Sequence, residues 1–151
     1  MKIAELCHRS VVTCTDRDHL DQAASLMWSN NVGCLPVLGD NGQLVGMLSD
    51  RDIAMAAMLQ GSPLRAVTVS SVMSKEVLTC REDDDTETVL QRLTARRLRR
   101  IPIVDSDRRV IAIVSLNDIA RAAANHTLSP AGVAALIQAV AVPRSLAVTR
   151  P

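Results

Sequence analysis

The sequence has almost no aromatic side chains, since it contains no Phe or Tyr and one tryptophan, Trp28. Hydrophobic residues nevertheless make up 48% of the chain. A core of this composition must be built from Val, Leu, Ile, Ala and Met. The shortage excludes aromatic stacking as a main device, both for the core and for holding nucleic acid bases.

The chain also lacks an excess of charge of either sign. Lys and Arg number 17 against 16 for Asp and Glu, which leaves a net charge of +1. No global field therefore favours a nucleic acid or a membrane surface. Clusters at Arg96–Arg100 and Arg108–Arg109 are the one argument for nucleic acid binding, which the neutral balance makes a weak class. No apolar run reaches the roughly 20 residues that span a bilayer, and the N-terminus lacks a signal-peptide core, so we expect a cytoplasmic protein.

The motifs of metal, disulfide and catalytic chemistry are absent from the sequence. No CxxC occurs and no His lies at metal-ligand spacing from a cysteine, so reduced, mostly buried thiols are expected at Cys7, Cys14, Cys34 and Cys80. There is no phosphate loop and no Ser/His/Asp set. The three histidines fall in separate segments and are interpreted as surface residues: His8, His19 and His126. The sequence predicts no enzyme, no metal and no required cofactor.

A repeat is what the chain does contain. LVGMLSDRDI at residues 44–53 returns as VIAIVSLNDI at residues 110–119, an offset of 66. The same offset separates Pro36 from Pro102 and Thr13 from Thr79. The chain therefore holds two copies of one unit, here called copy one and copy two. A unit of about 60 residues is small to bury its own apolar faces, so the copies are expected to pack on each other.

Each copy has the pattern β-α-β-β-α, which predicts a mixed α/β (α+β) fold. In copy one the expected strands are 11–13, 34–38 and 44–48, with Pro36 at a sheet edge or a strand start. Asp18 is the expected N-cap of the first helix. The apolar stripe of that helix is Leu20, Ala23, Ala24, Met27 and Trp28. The second helix is expected from Ser49 to about Gln60.

Copy two is expected to repeat these elements, with strands at 77–79, 100–104 and 110–114. Asp84 is the expected N-cap of its first helix, and its second helix is expected from Ser115 to about Asn125. A further helix is expected to begin at Pro130, with Ser129 as its N-cap, in a stretch without charge, and it should be buried against protein. The resulting domain boundaries are 1–61, 62–126 and 127–151.

A Ser and an Asp recur at each predicted strand–helix junction: Ser49 with Asp52, and Ser115 with Asp118. An ionised Asp accepts two hydrogen bonds at once, which suits the vicinal hydroxyls of ribose. Ser is a small donor and acceptor, and a helix N-terminus favours phosphate. Ser-x-x-Asp is also close to a capping box, which engages the same atoms. For one copy alone the two interpretations are about equal.

The double motif set resembles tandem cystathionine β-synthase (CBS) domains, a pair of which forms a Bateman module. The resemblance covers residues 1 to about 125. It rests on the lead-ins IAELC and VSSVM and on the segments VVTCTDRDHLDQAASLM, GCLPVL, GQLVGMLSDRDI, VLTCREDDDTETVLQRL, RRIPIVD and RRVIAIVSLNDI.

The resemblance implies two repeats packed head-to-tail with a pseudo-two-fold axis and two clefts between them. It implies adenosine-containing regulatory ligands there, such as AMP, ADP, ATP or S-adenosylmethionine. The residues it assigns to the first cleft are Thr13, Cys14, Arg99, Arg100, Ser115 and Asp118. Those of the second cleft are Gly33, Cys34, Ser49, Asp52, Thr79 and Cys80.

The clefts are predicted to be unequal because Gly33–Cys34 replaces Arg99–Arg100. Arginine holds phosphate through charge-assisted hydrogen bonds, which a Gly-Cys pair does not provide. The first cleft is therefore expected to bind phosphorylated adenosine. The second is expected to be empty, weaker or suited to a less charged adenosyl group.

The leading interpretation is a non-catalytic ligand sensor that acts through an unidentified regulated protein or through its assembly state. The resemblance further implies a homodimer. The alternative is a structural dimerisation module with vestigial clefts.

Overall fold

The computed structural model describes residues 1–7, 9–125 and 127–142. The five strands are β1 (Cys14–Thr15), β2 (Cys34–Leu38), β3 (Leu44–Ser49), β4 (Arg100–Val104) and β5 (Val110–Ser115). The five α-helices are α1 (Leu20–Asn30), α2 (Asp50–Gln60), α3 (Thr86–Arg96), α4 (Leu116–Ala124) and α5 (Pro130–Ala141). None of the helices in this part of the chain is long and apolar enough to cross a bilayer.

The described residues divide into two compact units. The larger unit comprises residues 9–81 and 102–113, and the smaller unit comprises residues 1–7, 82–101 and 114–142. The larger unit contains the three-stranded sheet of copy one, in the order β1-β2-β3, with β1 parallel and β3 antiparallel to β2. In copy two, β4 and β5 form a two-stranded sheet. The prediction of a mixed α/β fold is confirmed.

The first strand of each copy differs from its prediction. In copy one the ladder begins at Cys14, which pairs with Val37, so the strand is later than residues 11–13. In copy two residues 77–79 form no strand, and Cys80 makes an isolated parallel bridge to Ile103. Its N–H donates to Pro102 O at 3.1 Å, which gives copy two one bridge where copy one has a strand.

Two helices begin one residue later than predicted, because the expected caps have other partners. Asp18 Oδ2 accepts from Thr15 N–H at 2.8 Å and closes the turn before α1, whose N-cap is His19. Asp84 forms an ion pair with Arg92 at 3.2 Å. Asp85 is the N-cap of α3, and its side chain accepts from Thr88 N–H at 3.2 Å.

Pro36 occupies the third position of β2, the central strand, and not an edge or a strand start as predicted. Its partner on β3 is Met47, whose backbone N–H and C=O bond Ser74 at 3.0 and 2.9 Å and so point away from β2. The proline nitrogen therefore faces the opposite flank, where β1 pairs only from Val37 onward. A residue without an N–H is tolerated there because no ladder bond is needed.

The core of the larger unit lies between its sheet and helices α1 and α2. Its aliphatic and thiol side chains fit the composition, and α1 contributes Leu20, Ala23 and Met27 as predicted. Trp28 does not belong to this stripe, because it is 89% exposed. Position 28 lies one residue beyond Met27, on the outward side of the helix.

In the smaller unit, α5 packs against α3 and α4. Its N-cap is Ser129 and Pro130 is its first residue, as predicted, although the Ser129 side chain makes no capping hydrogen bond. Val133 and Leu136 are buried. The outer side of the helix stays open, since Ile137 is 46% exposed. The expectation of a buried tail helix is thus met on one side, and residues 143–151 lie outside the described residues.

Candidate functional site

The copy-one junction joins the end of β3 to the start of α2. Ser49 is the N-cap, and its Oγ accepts from Asp52 N–H at 3.1 Å. The Ser49 N–H and O–H both donate to Asp52 Oδ2, at 2.8 and 2.7 Å. Among the described residues, the hydrogen bonds to this carboxylate are both accepted by Oδ2. The pair forms a capping box and leaves Asp52 half-buried.

The copy-two junction repeats this geometry between β5 and α4. Ser115 N–H donates to Asp118 Oδ2 at 2.8 Å, and its O–H donates to the same oxygen. Asp118 is more buried than Asp52, at 5% exposure, and its Oδ1 forms an ion pair with Arg121. Copy one has Met55 at the position of Arg121. The spacing of Asp118 and Arg121, one helical turn apart, is the signal from which this pair could have been predicted.

In both junctions, therefore, the Ser and the Asp cap the helix. A cap and a ribose site use the same residues, so the capping box sets the orientation in which each carboxylate would meet a ligand. The assignment of these residues to ligand binding stays a prediction.

The segments preceding β2 and β4 lie against these junctions. Cys34 is directly opposite Ser49 in the β2–β3 ladder. Gly33 O accepts from Asp50 N–H at 3.0 Å, and Arg99 O accepts from Leu116 N–H at 2.7 Å. The fold thus brings Gly33, Cys34, Ser49 and Asp52 together in the larger unit. It brings Arg99 beside the Ser115 junction in the smaller unit, with Arg100 next to it at the start of β4.

The residues predicted to border the base are less directly tied to the junctions. Cys14 and Cys80 are each 3% exposed, and Thr13 and Thr79 precede them as half-buried residues. Burial, followed by the charges of Asp18 and Cys34, raises the pKa of the Cys14 thiol to about 12. All four residues belong to the larger unit. Their contact with a base stays a prediction.

An open cavity of about 360 Å³ adjoins the copy-one junction. Its walls come from the end of α1, the segment before β2 and the start of α2. Gly33 is the one predicted site residue in its lining, and Asp50 and Trp28 also line it. Neither is predicted from the sequence as a site residue, because an exposed first-turn acid and a tryptophan at helical spacing have ordinary structural explanations.

The His, Cys, Asp and Glu side chains bear on a metal site. No cluster of three His, Cys, Asp or Glu side chains there is arranged to hold a metal ion. His19 caps α1 through its backbone, with its N–H donating to Gln22 Oε1 at 2.9 Å. His8 and His126 lie outside the described residues.

Fold and junctions together define a tandem-repeat module with one Ser–Asp strand–helix junction in each repeat. The family model of the CBS domain matches residues 3–59 and again residues 69–125. The chain therefore belongs to the CBS-domain family and carries two CBS domains.

Relatives include a CBS domain-containing protein and an enzyme. CBS domain-containing protein YhcV of Bacillus subtilis is 39% identical over 110 residues, which cover 73% of this chain and 76% of that protein. Inosine-5'-monophosphate dehydrogenase of Methanocaldococcus jannaschii is 31% identical over 118 residues, which cover 78% of this chain but 23% of the enzyme. The similarity to the enzyme is thus confined to a minor part of it.

A solved structure with the same fold is the CBS domain pair of protein MJ0100 in complex with 5′-methylthioadenosine and S-adenosyl-L-methionine. It is 25% identical, has a TM-score of 0.76, and the match covers 83% of this chain and 98% of that one. A structure of CBS domain protein TA0289 from Thermoplasma acidophilum gives a TM-score of 0.79 at 27% identity, with coverage of 92% and 75%.

Proposed function

We propose that this protein is a non-catalytic regulatory module that binds adenosine-containing ligands at its two Ser–Asp junctions. The observation that carries the proposal is the repeated geometry itself, an Asp carboxylate fixed at the same place by Ser49 in copy one and Ser115 in copy two. The binding of adenosyl ligands by the CBS pair of MJ0100 supports the same chemistry.

The copy-two junction is the proposed site for a phosphorylated ligand, AMP, ADP or ATP. Arg99 and Arg100 lie beside it at the start of β4, so their guanidinium groups could pair with phosphate, and the start of α4 supplies the positive end of a helix dipole. The copy-one junction lacks these arginines, which favours a less charged ligand such as S-adenosylmethionine. Thr13 and Cys14, and Thr79 and Cys80, are the proposed residues bordering the base.

A thermal-shift panel of AMP, ADP, ATP and S-adenosylmethionine, with GMP as a control, tests the proposal. Ligand at one hundred times its Kd stabilises the folded state by about 2.7 kcal/mol, which moves the melting temperature by several degrees. A rise with an adenosyl ligand and none with GMP is the expected result. Mass spectrometry of small molecules released from purified, denatured protein then identifies the natural ligand.

A structural dimerisation module is the second candidate, and one exposed surface favours it. Met55, Met58 and Leu59 on α2 are 37%, 66% and 74% exposed, and their spacing places them on one helix face. We infer that this α2 stripe mediates a homodimer, with output through assembly or through another protein. The absence of any thermal shift would favour this candidate over the ligand sensor.

Light scattering on Leu59→Glu tests the α2 stripe. The wild type is expected to be a dimer and the variant a monomer, because a buried charge has no partner there. Ala57→Glu, which adds the same charge on another side of α2, is the control.

The proposal also includes a cytoplasmic location, since four free thiols are typical of a reducing compartment.

A further inference from the structure

The carboxylate of Asp50 occupies space that a side chain at position 33 would take. A Cβ built on Gly33 would lie 2.9 Å from Asp50 Oδ2, too close for the carboxylate to stay where it is. The backbones of the two residues are tied by the bond from Asp50 N–H to Gly33 O. Glycine at position 33 is therefore what allows the carboxylate this position.

Copy two has the opposite charge at the equivalent place. The same backbone bond joins Leu116 N–H to Arg99 O, and these two residues are the counterparts of Asp50 and Gly33. One repeat thus has a guanidinium on the segment before its strand, and the other has a carboxylate covering that segment. The difference goes beyond the loss of an arginine, because the charge is reversed.

The carboxylate is part of the wall of the cavity of about 360 Å³ beside the copy-one junction. Trp28, Met27 and Ile53 form an apolar part of that wall, and neither Lys nor Arg is among the described residues that line it. The volume falls within the range of small-molecule pockets. An aromatic face and a carboxylate are the two groups that attract an organic cation, and a carboxylate repels phosphate.

We propose that the copy-one cavity binds the cationic group of an adenosyl ligand, a sulfonium, and discriminates against phosphate through Asp50. This inference rests on the proposed function, since it assigns a ligand class to the copy-one site. Asp50 and Trp28 are its specificity-determining residues, and Gly33 is a positioning residue that leaves room for the carboxylate.

Trp28 provides the measurement, because it is the chain's one tryptophan and lies in the wall of this cavity. Its emission is followed while the full chain is titrated with S-adenosylmethionine or S-adenosylhomocysteine, which differ by the sulfonium methyl group and its charge. The sulfonium compound is expected to bind about fivefold more tightly, from one exposed ion pair and one cation–π contact.

Asp50→Asn keeps the size of the side chain and removes the ion pair, so it is expected to reduce the preference from about fivefold to about twofold, the part due to the cation–π contact with Trp28. Asp21→Asn, which removes the first-turn acid of α1, should keep the fivefold preference. Gly33→Ala provides a second variant, because its Cβ displaces the carboxylate and should reduce the preference with Asp50 intact.

Equal affinity of the two compounds for the wild type would overturn the cation site and leave the proposed adenosyl binding in place. An undiminished fivefold preference in Asp50→Asn would likewise overturn it. If neither compound binds and AMP, ADP and ATP also fail in the thermal-shift panel, both this inference and the proposed function are wrong.

Discussion

The backbone N–H of Ser115 lies 2.8 Å from Asp118 Oδ2, and the corresponding pair in copy one has the same distance. The two capping boxes are thus alike, although they are 66 residues apart in the chain. Their surroundings differ, because Asp118 also pairs with Arg121 where copy one has Met55. Substitution of the serine of each junction tests helix capping, and substitution of the aspartate tests ligand binding.

Replacing the serine by alanine should destabilise either copy by a similar amount. Ser49→Ala and Ser115→Ala each remove the acceptor of a first-turn N–H that has no partner within the helix, which costs about 1 kcal/mol of stability. Urea unfolding measures the loss. Ser129→Ala is the matched control, since Ser129 is the N-cap of α5 without a side-chain hydrogen bond, and it should change stability by no more than a few tenths of a kcal/mol. A loss at Ser129 equal to the other two would contradict the capping assignment.

The aspartates should differ in their effect on AMP. Asp118→Asn is expected to weaken AMP binding about tenfold or more, because the Asp118 carboxylate is proposed to accept from the ribose hydroxyls of AMP. The phosphate of the same ligand is proposed to lie by Arg99 and Arg100. Asp52→Asn should have a much smaller effect. Isothermal titration calorimetry measures both, and asparagine keeps an acceptor for the serine. Equal losses would contradict the assignment of phosphate to copy two.

The sequence was most informative where local chemistry decides the structure. The strand at residues 100–104, the helix start at Ser129 and Pro130 and both Ser–Asp junctions follow from motifs a few residues long, and the structure has them. The repeat gave the fold class, because an offset of 66 without insertion leaves one supersecondary unit used twice.

Features that depend on distant partners were not predictable in this way. Asp18 resembles an N-cap, but its carboxylate closes a turn, and Asp84 is held by Arg92. Helical spacing alone does not separate Met27, which is buried, from Trp28, which is exposed. The Asp50 carboxylate takes its position because Gly33 has no side chain. The two residues belong to different segments, so no local sequence pattern indicates this relationship.

Cys14 should resist alkylation, and its burial should make the free energy of unfolding fall as the pH rises above 9. Burial raises its pKa from 9.0 in the unfolded chain to about 12 in the folded state. The thiol is neutral in both states below pH 9, so its contribution to stability is complete there. It is lost between pH 9 and 12, where the unfolded chain gains the thiolate first.

Peptide mass spectrometry after iodoacetamide treatment at pH 8 should find Cys7, which is partly exposed, modified before Cys14. Urea unfolding from pH 8 to 10.5 should show a steeper fall for the wild type than for Cys14→Ala. Equal slopes would contradict the raised pKa.

Gly46 on β3 should not tolerate alanine, although its copy-two counterpart is Ala112. A Cβ at position 46 would lie 2.5 Å from Met73 Sδ and 3.1 Å from the carbonyl oxygen of Ser74. Overpacking of this kind costs about 1–3 kcal/mol. The double variant Gly46→Ala/Met73→Ala removes the sulfur, so in a double-mutant cycle it should be destabilised by less than the sum of the two single changes. Additive losses would show that the backbone of Ser74, and not the flexible side chain of Met73, keeps this position a glycine.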